Sequence, residues 1–194
     1  NFCADPSFVK YTSSILGSDL PVAYGYSVGN QVKGVDECSW VSIGDGSMEE
    51  GVFWETLINA SKTNPKLKII IEDNDHSMSS SVADRRVSLN HQAIANTFGI
   101  AYVEIDGSDA LSVFASLSDA AALDGISLIC VKYKMYNQHH GKTPGFPGDL
   151  LDIDASLGLV QGQADILDSV KRYADSETLK YFEHIESTLK CNHQ

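Results

Sequence analysis

Apolar segments of two kinds alternate along this chain, and that alternation restricts its fold more than any other feature. Residues 67–71, 101–105 and 126–133 are short apolar runs rich in β-branched side chains, the pattern of strands covered on both faces of a parallel sheet. Residues 35–43, with Trp40, Val41 and Ile43, read as another such strand, broken at Gly44-Asp45-Gly46. Between the runs, residues 49–62, 90–98 and 110–123 space their apolar side chains as helices do, and a further helix is expected over 19–28, where Gly25 and Gly29 would allow close approach to the sheet. Glu49 and Glu50 stand in the expected first turn of the 49–62 helix, where the macrodipole favours carboxylates, and Pro65 stops it. Such a series predicts an α/β fold: a doubly wound, mostly parallel sheet with helices on both faces. Beyond Pro147, one or two amphipathic helices are expected, over 161–173 and 176–189, and Ser79-Ser80-Ser81 reads as a polar loop.

At 194 residues the chain is expected to form a single domain with one main core. Its 14 basic and 26 acidic residues leave a net charge of −12, which argues against a phosphate backbone as partner, so no nucleic acid is expected. No apolar run approaches the ~18–20 residues that cross a bilayer, so no membrane is expected either. Cys38 and Cys130 sit in apolar runs and read as small buried thiols; with neither a CxxC pair nor a secretion signal, a reducing cytoplasm is the expected location.

Ligands of open parallel sheets bind beyond the carboxyl ends of the strands, and the two most unusual loops of this sequence both follow strands at that edge. One is Gly44-Asp45-Gly46-Ser47 and the other is Glu72-Asp73-Asn74-Asp75-His76. A carboxylate and an amide are hard oxygen donors, suited to Mg²⁺ or Ca²⁺ rather than zinc. Glycines let backbone approach a phosphate, and the helix starting near Glu49 aims free N–H groups at the same place.

Gly44-Asp45-Gly46, a helix, a strand and a closing Asn74, with Asp45 and Asn74 29 positions apart, resemble the fingerprint of thiamine-diphosphate enzymes. Three more stretches are similar to transketolases and to the α chains of 2-oxo acid dehydrogenases. These are the loop from Ser13 to Pro21, the helix opening Glu49-Glu50-Gly51-Val52-Phe53-Trp54-Glu55, and His139-His140-Gly141-Lys142-Thr143-Pro144. The resemblance implies that Asp45, Asn74 and the backbone carbonyl of His76 hold Mg²⁺, while Gly44, Gly46 and Ser47 meet the cofactor diphosphate. It implies that Ser14 and Leu16 lie against the cofactor ring, that His140 stands by the diphosphate and the entering keto substrate, and that Glu50 joins an acidic network linking paired active sites. The family's activating glutamate sits on a pyrimidine-binding domain absent from this sequence, so the resemblance also implies a partner (β) chain and an α₂β₂-like or dimeric assembly. Related α chains carry a histidine just before the Asp-Pro that matches Asp5-Pro6, where this sequence has Phe2 or Cys3, and they carry further residues ahead of this region.

The main expectation is therefore a transketolase-like transferase subunit moving a two-carbon ketol or acyl unit. The alternatives are the α chain of a 2-oxo acid dehydrogenase and a non-catalytic scaffold or regulatory domain that kept the fold. Around the motif, Asp73 and Asp75 read as turn formers or solvated carboxylates, Arg85 and Arg86 as a solvated loop or an anion contact, His91, His184 and His193 as structural or exposed, and Phe53 and Trp54 as core or interface.

Overall fold

The computed structural model of the protein describes residues 11–77, 80–133 and 179–180. The chain divides into two compact units, Asn1–Leu151 and Asp152–Gln194, and every element named below belongs to the first. In order these are α1 (Asp19–Lys33), β1 (Ser39–Gly44), a 3-10 helix (Asp45–Glu49), α2 (Gly51–Thr63), β2 (Leu67–Asp73), β3 (His76–Ser77), β4 (Ser80–Ser81), α3 (Val82–Arg85), α4 (His91–Phe98), β5 (Ala101–Asp106), α5 (Ala110–Ala121) and β6 (Ser127–Lys132). Among the described residues, no helix is long and apolar enough to cross a membrane. The tail expectations at 161–173 and 176–189, like His139, His140 and Asp5-Pro6, lie outside the described residues.

Four parallel strands run in the order β1-β2-β6-β5, so β6 arrives last and inserts between β2 and β5. The sheet is covered on both faces, as the continuous apolar runs require. Leu67, Ile69 and Ile71 of β2 pack with Leu128 of β6 against Phe53, Leu57 and Ala60 of α2, Leu20 of α1 and Ala95 of α4. Their neighbours of opposite parity, Ile70 and Ile129, join Val103 and Ile105 against Val113, Leu117 and Ala120 of α5. Complete burial of Phe53 contributes on the order of 3 kcal/mol, and its ring meets Trp54 edge-on with centroids 5.1 Å apart.

Several local expectations are corrected. The first helix runs on to Lys33 and ends at Gly34, whose φ of 67° is the left-handed cap that halts a helix at a glycine. Gly25 and Gly29 face open space, and α1 packs through Leu20 and Ser27 instead. The strand expected from Val35 starts only at Ser39, which leaves Cys38 half-buried ahead of it. Ser80-Ser81 is a strand, paired antiparallel with His76-Ser77, and Ser81 then starts α3 in a capping box with Asp84. Asp73 and Asp75 do form a turn: the Asp73 carboxylate accepts the Asp75 N–H at 3.3 Å, and Asp75 takes a φ of 64°.

Lys68 breaks the apolar rule of β2 and is fully buried. Its ammonium donates to the carbonyls of Leu123 and Gly125 at 2.7 and 2.9 Å and to Ser127 Oγ at 3.1 Å, so it caps the chain just beyond α5, although burial pushes its pKa down. At α4 the Asn90 side chain accepts the Ala93 N–H at 2.9 Å. Asn90→Ala is expected to cost about 1 kcal/mol of unfolding free energy, the usual value of an N-cap, in chemical denaturation. A negligible cost would mean that packing alone holds the first turn of α4.

Candidate functional site

The carboxyl edge of the sheet is where the two unusual loops meet. Parallel pairing sets Gly44 beside Glu72, so the chain leaves β1 at Asp45 and β2 at Asn74 on the same side and next to each other. The 3-10 helix buries Asp45, Gly46, Ser47 and Met48 at this edge. A Cβ at Gly46 would lie 2.6 Å from Ser77 Oγ, so only glycine lets this loop rest against the β3–β4 hairpin. Gly17, with a φ of 73°, closes the loop carrying Ser14 and Leu16 onto the same region: a Cβ there would come 2.9 Å from Val52 and 3.7 Å from the Ser47 carbonyl.

Asp45 is 2% exposed, and a buried carboxylate needs a cation or hydrogen bonds to remain charged. Arg85 supplies one, at 2.8 Å, while also reaching Glu49 at 3.0 Å and the Ser80 carbonyl at 3.0 Å. Arg86 meets the same Glu49 oxygen at 3.1 Å. Burial still pushes the Asp45 carboxyl above the ordinary carboxylate range, with Asp73 adding to the rise, while Arg85 and the Gly46 amide pull it back. Arg85 and Arg86 are thus neither a solvated loop nor free anion contacts but the counter-ions of two acidic residues. Glu49 is spent on them rather than on the helix dipole, since α2 begins only at Gly51.

Asn74 projects its side chain into the adjoining turn, where Oδ1 accepts the His76 N–H at 2.9 Å and Nδ2 donates to Tyr133 Oη at 3.5 Å. His76 Nδ1 stands 3.3 Å from the Asn74 carbonyl, and Tyr133 donates to Glu72 at 3.3 Å. The structure therefore brings Gly44, Asp45, Gly46, Ser47, Asn74 and His76 into one place, with the Ser14–Leu16 loop against it. Leu16 is 51% exposed and Ser14 is also exposed. Glu50 is exposed as well, at the N-cap of α2 and without a cap hydrogen bond. His140 lies outside the described residues. The pairing of Arg85 with Asp45 is what sequence reasoning missed: an arginine 40 positions from its aspartate offers no local signal, and only the hairpin between them brings the two together.

Asp45, ion-paired with Arg85, and Asn74, bonded within its own turn, offer a carboxylate and an amide oxygen of the hard kind that Mg²⁺ takes. The family model described as dehydrogenase E1 component matches residues 4–123. The α subunit of the pyruvate dehydrogenase E1 component of Acholeplasma laidlawii is 29% identical over 112 residues, 56% of this chain and 32% of that protein. The α subunit of acetoin:2,6-dichlorophenolindophenol oxidoreductase of Cupriavidus necator is 28% identical over 151 residues, 74% of this chain and 45% of that protein. Among solved structures, transketolase from Campylobacter jejuni superimposes with a TM-score of 0.60 at 20% identity, covering 64% of this chain and 21% of that one. A thiamin diphosphate-dependent enzyme from Mycobacterium smegmatis, described as putative, does so with a TM-score of 0.51 at 22% identity, covering 62% of this chain and 22% of that one. The first of the curated relatives is matched over about a third of its own length.

Proposed function

This chain belongs to the dehydrogenase E1 component family, and on that premise we propose that it is the diphosphate-binding half of a thiamine-diphosphate-dependent 2-oxo acid dehydrogenase α chain. The observation that carries the reading is the meeting of the Asp45 and Asn74 loops at neighbouring carboxyl ends of parallel strands, with Gly46 held close against the hairpin. The relatives favour this reading over transketolase-like transfer, since those in the family are dehydrogenase and oxidoreductase α subunits, whereas the likeness to transketolase is one of fold.

In this reading Asp45, Asn74 and the carbonyl of His76 hold Mg²⁺, or Ca²⁺ in its place, and the backbone N–H groups of Gly46 and Ser47 face the diphosphate. Bound there, thiamine diphosphate supplies the reactive carbon and electron sink for cleaving the bond next to a keto group. The chain's own part is to hold the diphosphate through the Gly46 and Ser47 N–H groups and to orient the ring over Leu16 and Ser14. His140, matched to the family histidine by the diphosphate, takes the acid–base or polar role toward substrate, and the exposed Glu50 reaches toward a second active site. A partner β chain supplies the glutamate that activates the aminopyrimidine, in an α₂β₂-like assembly, and the exposed Leu16 and Ile15 become covered there.

The test is an assay of the assembled enzyme for 2-oxo acid-dependent reduction of an artificial electron acceptor. Activity with pyruvate or a branched 2-oxo acid is expected; activity confined to ketose phosphates would restore the transfer reading. In the same assay His140→Ala is expected to lower turnover by ~10²–10⁴-fold while leaving cofactor affinity in calorimetry nearly unchanged. Full turnover in the variant would remove His140 from the chemistry.

A further inference from the structure

At the inner side of the Glu72–His76 loop, three side chains from distant segments converge. Asp73 ends β2, Cys130 lies in the middle of β6, and His91 opens α4. His91 Nδ1 is 3.2 Å from Cys130 Sγ, Asp73 Oδ2 is 3.9 Å from the same sulfur, and the three donor atoms all lie within 4.8 Å of one another. Cys130 is fully buried and His91 is 8% exposed, so His91 is neither a surface histidine nor a free one. None of the three is used by the diphosphate site, in which Asn74 rather than Asp73 contributes the ligand.

We propose that Asp73, His91 and Cys130 form a binding site for a thiophilic or borderline divalent ion of the Zn²⁺ or Co²⁺ class. A thiolate and an imidazole beside one carboxylate make a donor set that such ions take, whereas Mg²⁺ prefers oxygen donors alone. Tetrahedral bonds of ~2.0–2.3 Å separate neighbouring ligand atoms by about 3.4–3.7 Å, so no spacing here needs to contract by more than about 1.5 Å. Charge balance supports the same conclusion. Among the described residues Asp73 has no ion pair, because the nearby Lys132 is engaged by Glu104 at 2.9 Å. A dication with one thiolate, one carboxylate and a neutral imidazole is electrically neutral, which suits a buried place.

Burial, followed by the charge of Asp73, pushes the Cys130 thiol up to about 12, and burial holds His91 below the ordinary histidine range, toward the neutral form that ligates metals. Binding therefore exchanges the S–H bond for a metal–sulfur bond and releases one proton to solvent. The rival arrangement is a thiol–imidazole–carboxylate hydrogen-bond network that takes no ion.

The experiment is a titration of the full chain with Co²⁺ in the presence of excess Mg²⁺, which fills the hard-oxygen loops, while following the thiolate-to-cobalt charge-transfer absorption and the protons released. One equivalent of Co²⁺ giving that absorption and releasing a proton is the expected result. The band should vanish in Cys130→Ser and survive in a Cys3→Ser/Cys38→Ser/Cys191→Ser triple variant, which keeps Cys130 as its only thiol. Asp73→Asn should weaken Co²⁺ binding at least ~10-fold. No thiolate band in the folded chain, or its loss in the triple variant, overturns the proposal even if Cys130→Ser fails to fold.

Discussion

Asp45→Ala is expected to weaken binding of Mg²⁺ and thiamine diphosphate by more than ~100-fold, since removing even a residue that merely supports a metal ligand costs 10–100-fold. Asp45 is the buried carboxylate at the meeting point of the two loops, and on the proposed reading a diphosphate bound to a protein of net charge −12 would require a cation held there to offset its own charge. The substitution also frees Arg85, so a loss of structure must be separated from a loss of ligation. Asp45→Asn does this: it keeps the shape and a hydrogen bond to Arg85 but removes the charge, and it should lose the cofactor while unfolding near the native temperature. Calorimetry on the assembled enzyme measures the effect. Unchanged affinity in Asp45→Ala would falsify the assignment of the site.

Arg85→Ala is expected to destabilise the fold by roughly 3 kcal/mol at neutral pH, because deleting one partner of a buried ion pair leaves the other charge uncompensated. Arg85 is 14% exposed and Asp45 2%, so solvent screens the pair weakly. The pH dependence follows from the direction of the Asp45 shift. Its carboxyl is already raised by burial, and losing Arg85, the largest opposing influence, raises it further. An acid whose folded pKa is raised favours the folded state below the ordinary carboxylate range and loses that contribution as pH rises through the folded value. The deficit of Arg85→Ala should therefore be largest at neutral pH and shrink as the pH falls below the raised Asp45 value. Chemical denaturation across that range reads it, and the Asp45→Asn/Arg85→Ala double variant should lose less than the sum of the single ones. A deficit independent of pH would mean that Arg85 acts through Glu49 and the Ser80 carbonyl alone.

What the sequence determined by itself are the features encoded by near neighbours along the chain. Apolar period and β-branching marked β2, β5 and β6 and the helices between them to within a few residues, because burial on two faces imposes a run that no exposed segment carries. The position of the Gly44–Ser47 and Glu72–His76 loops at one sheet edge was legible for the same reason, since a glycine–aspartate–glycine turn and an asparagine turn after strands are local chemistry, and parallel pairing brings successive carboxyl ends together. Tertiary structure alone decided what those residues touch. Arg85 reaches Asp45 only because the β3–β4 hairpin folds back across Gly46, and Glu49 is drawn from the helix start to two arginines far along the chain. Lys68 is buried because the chain end beyond α5 presents carbonyls to it, and His91 meets Cys130 and Asp73 because α4 starts above the sheet where β2 and β6 lie side by side. Charge and hydrogen-bond partners are chosen by distance in space, and a sequence specifies that distance only after its strands have been ordered.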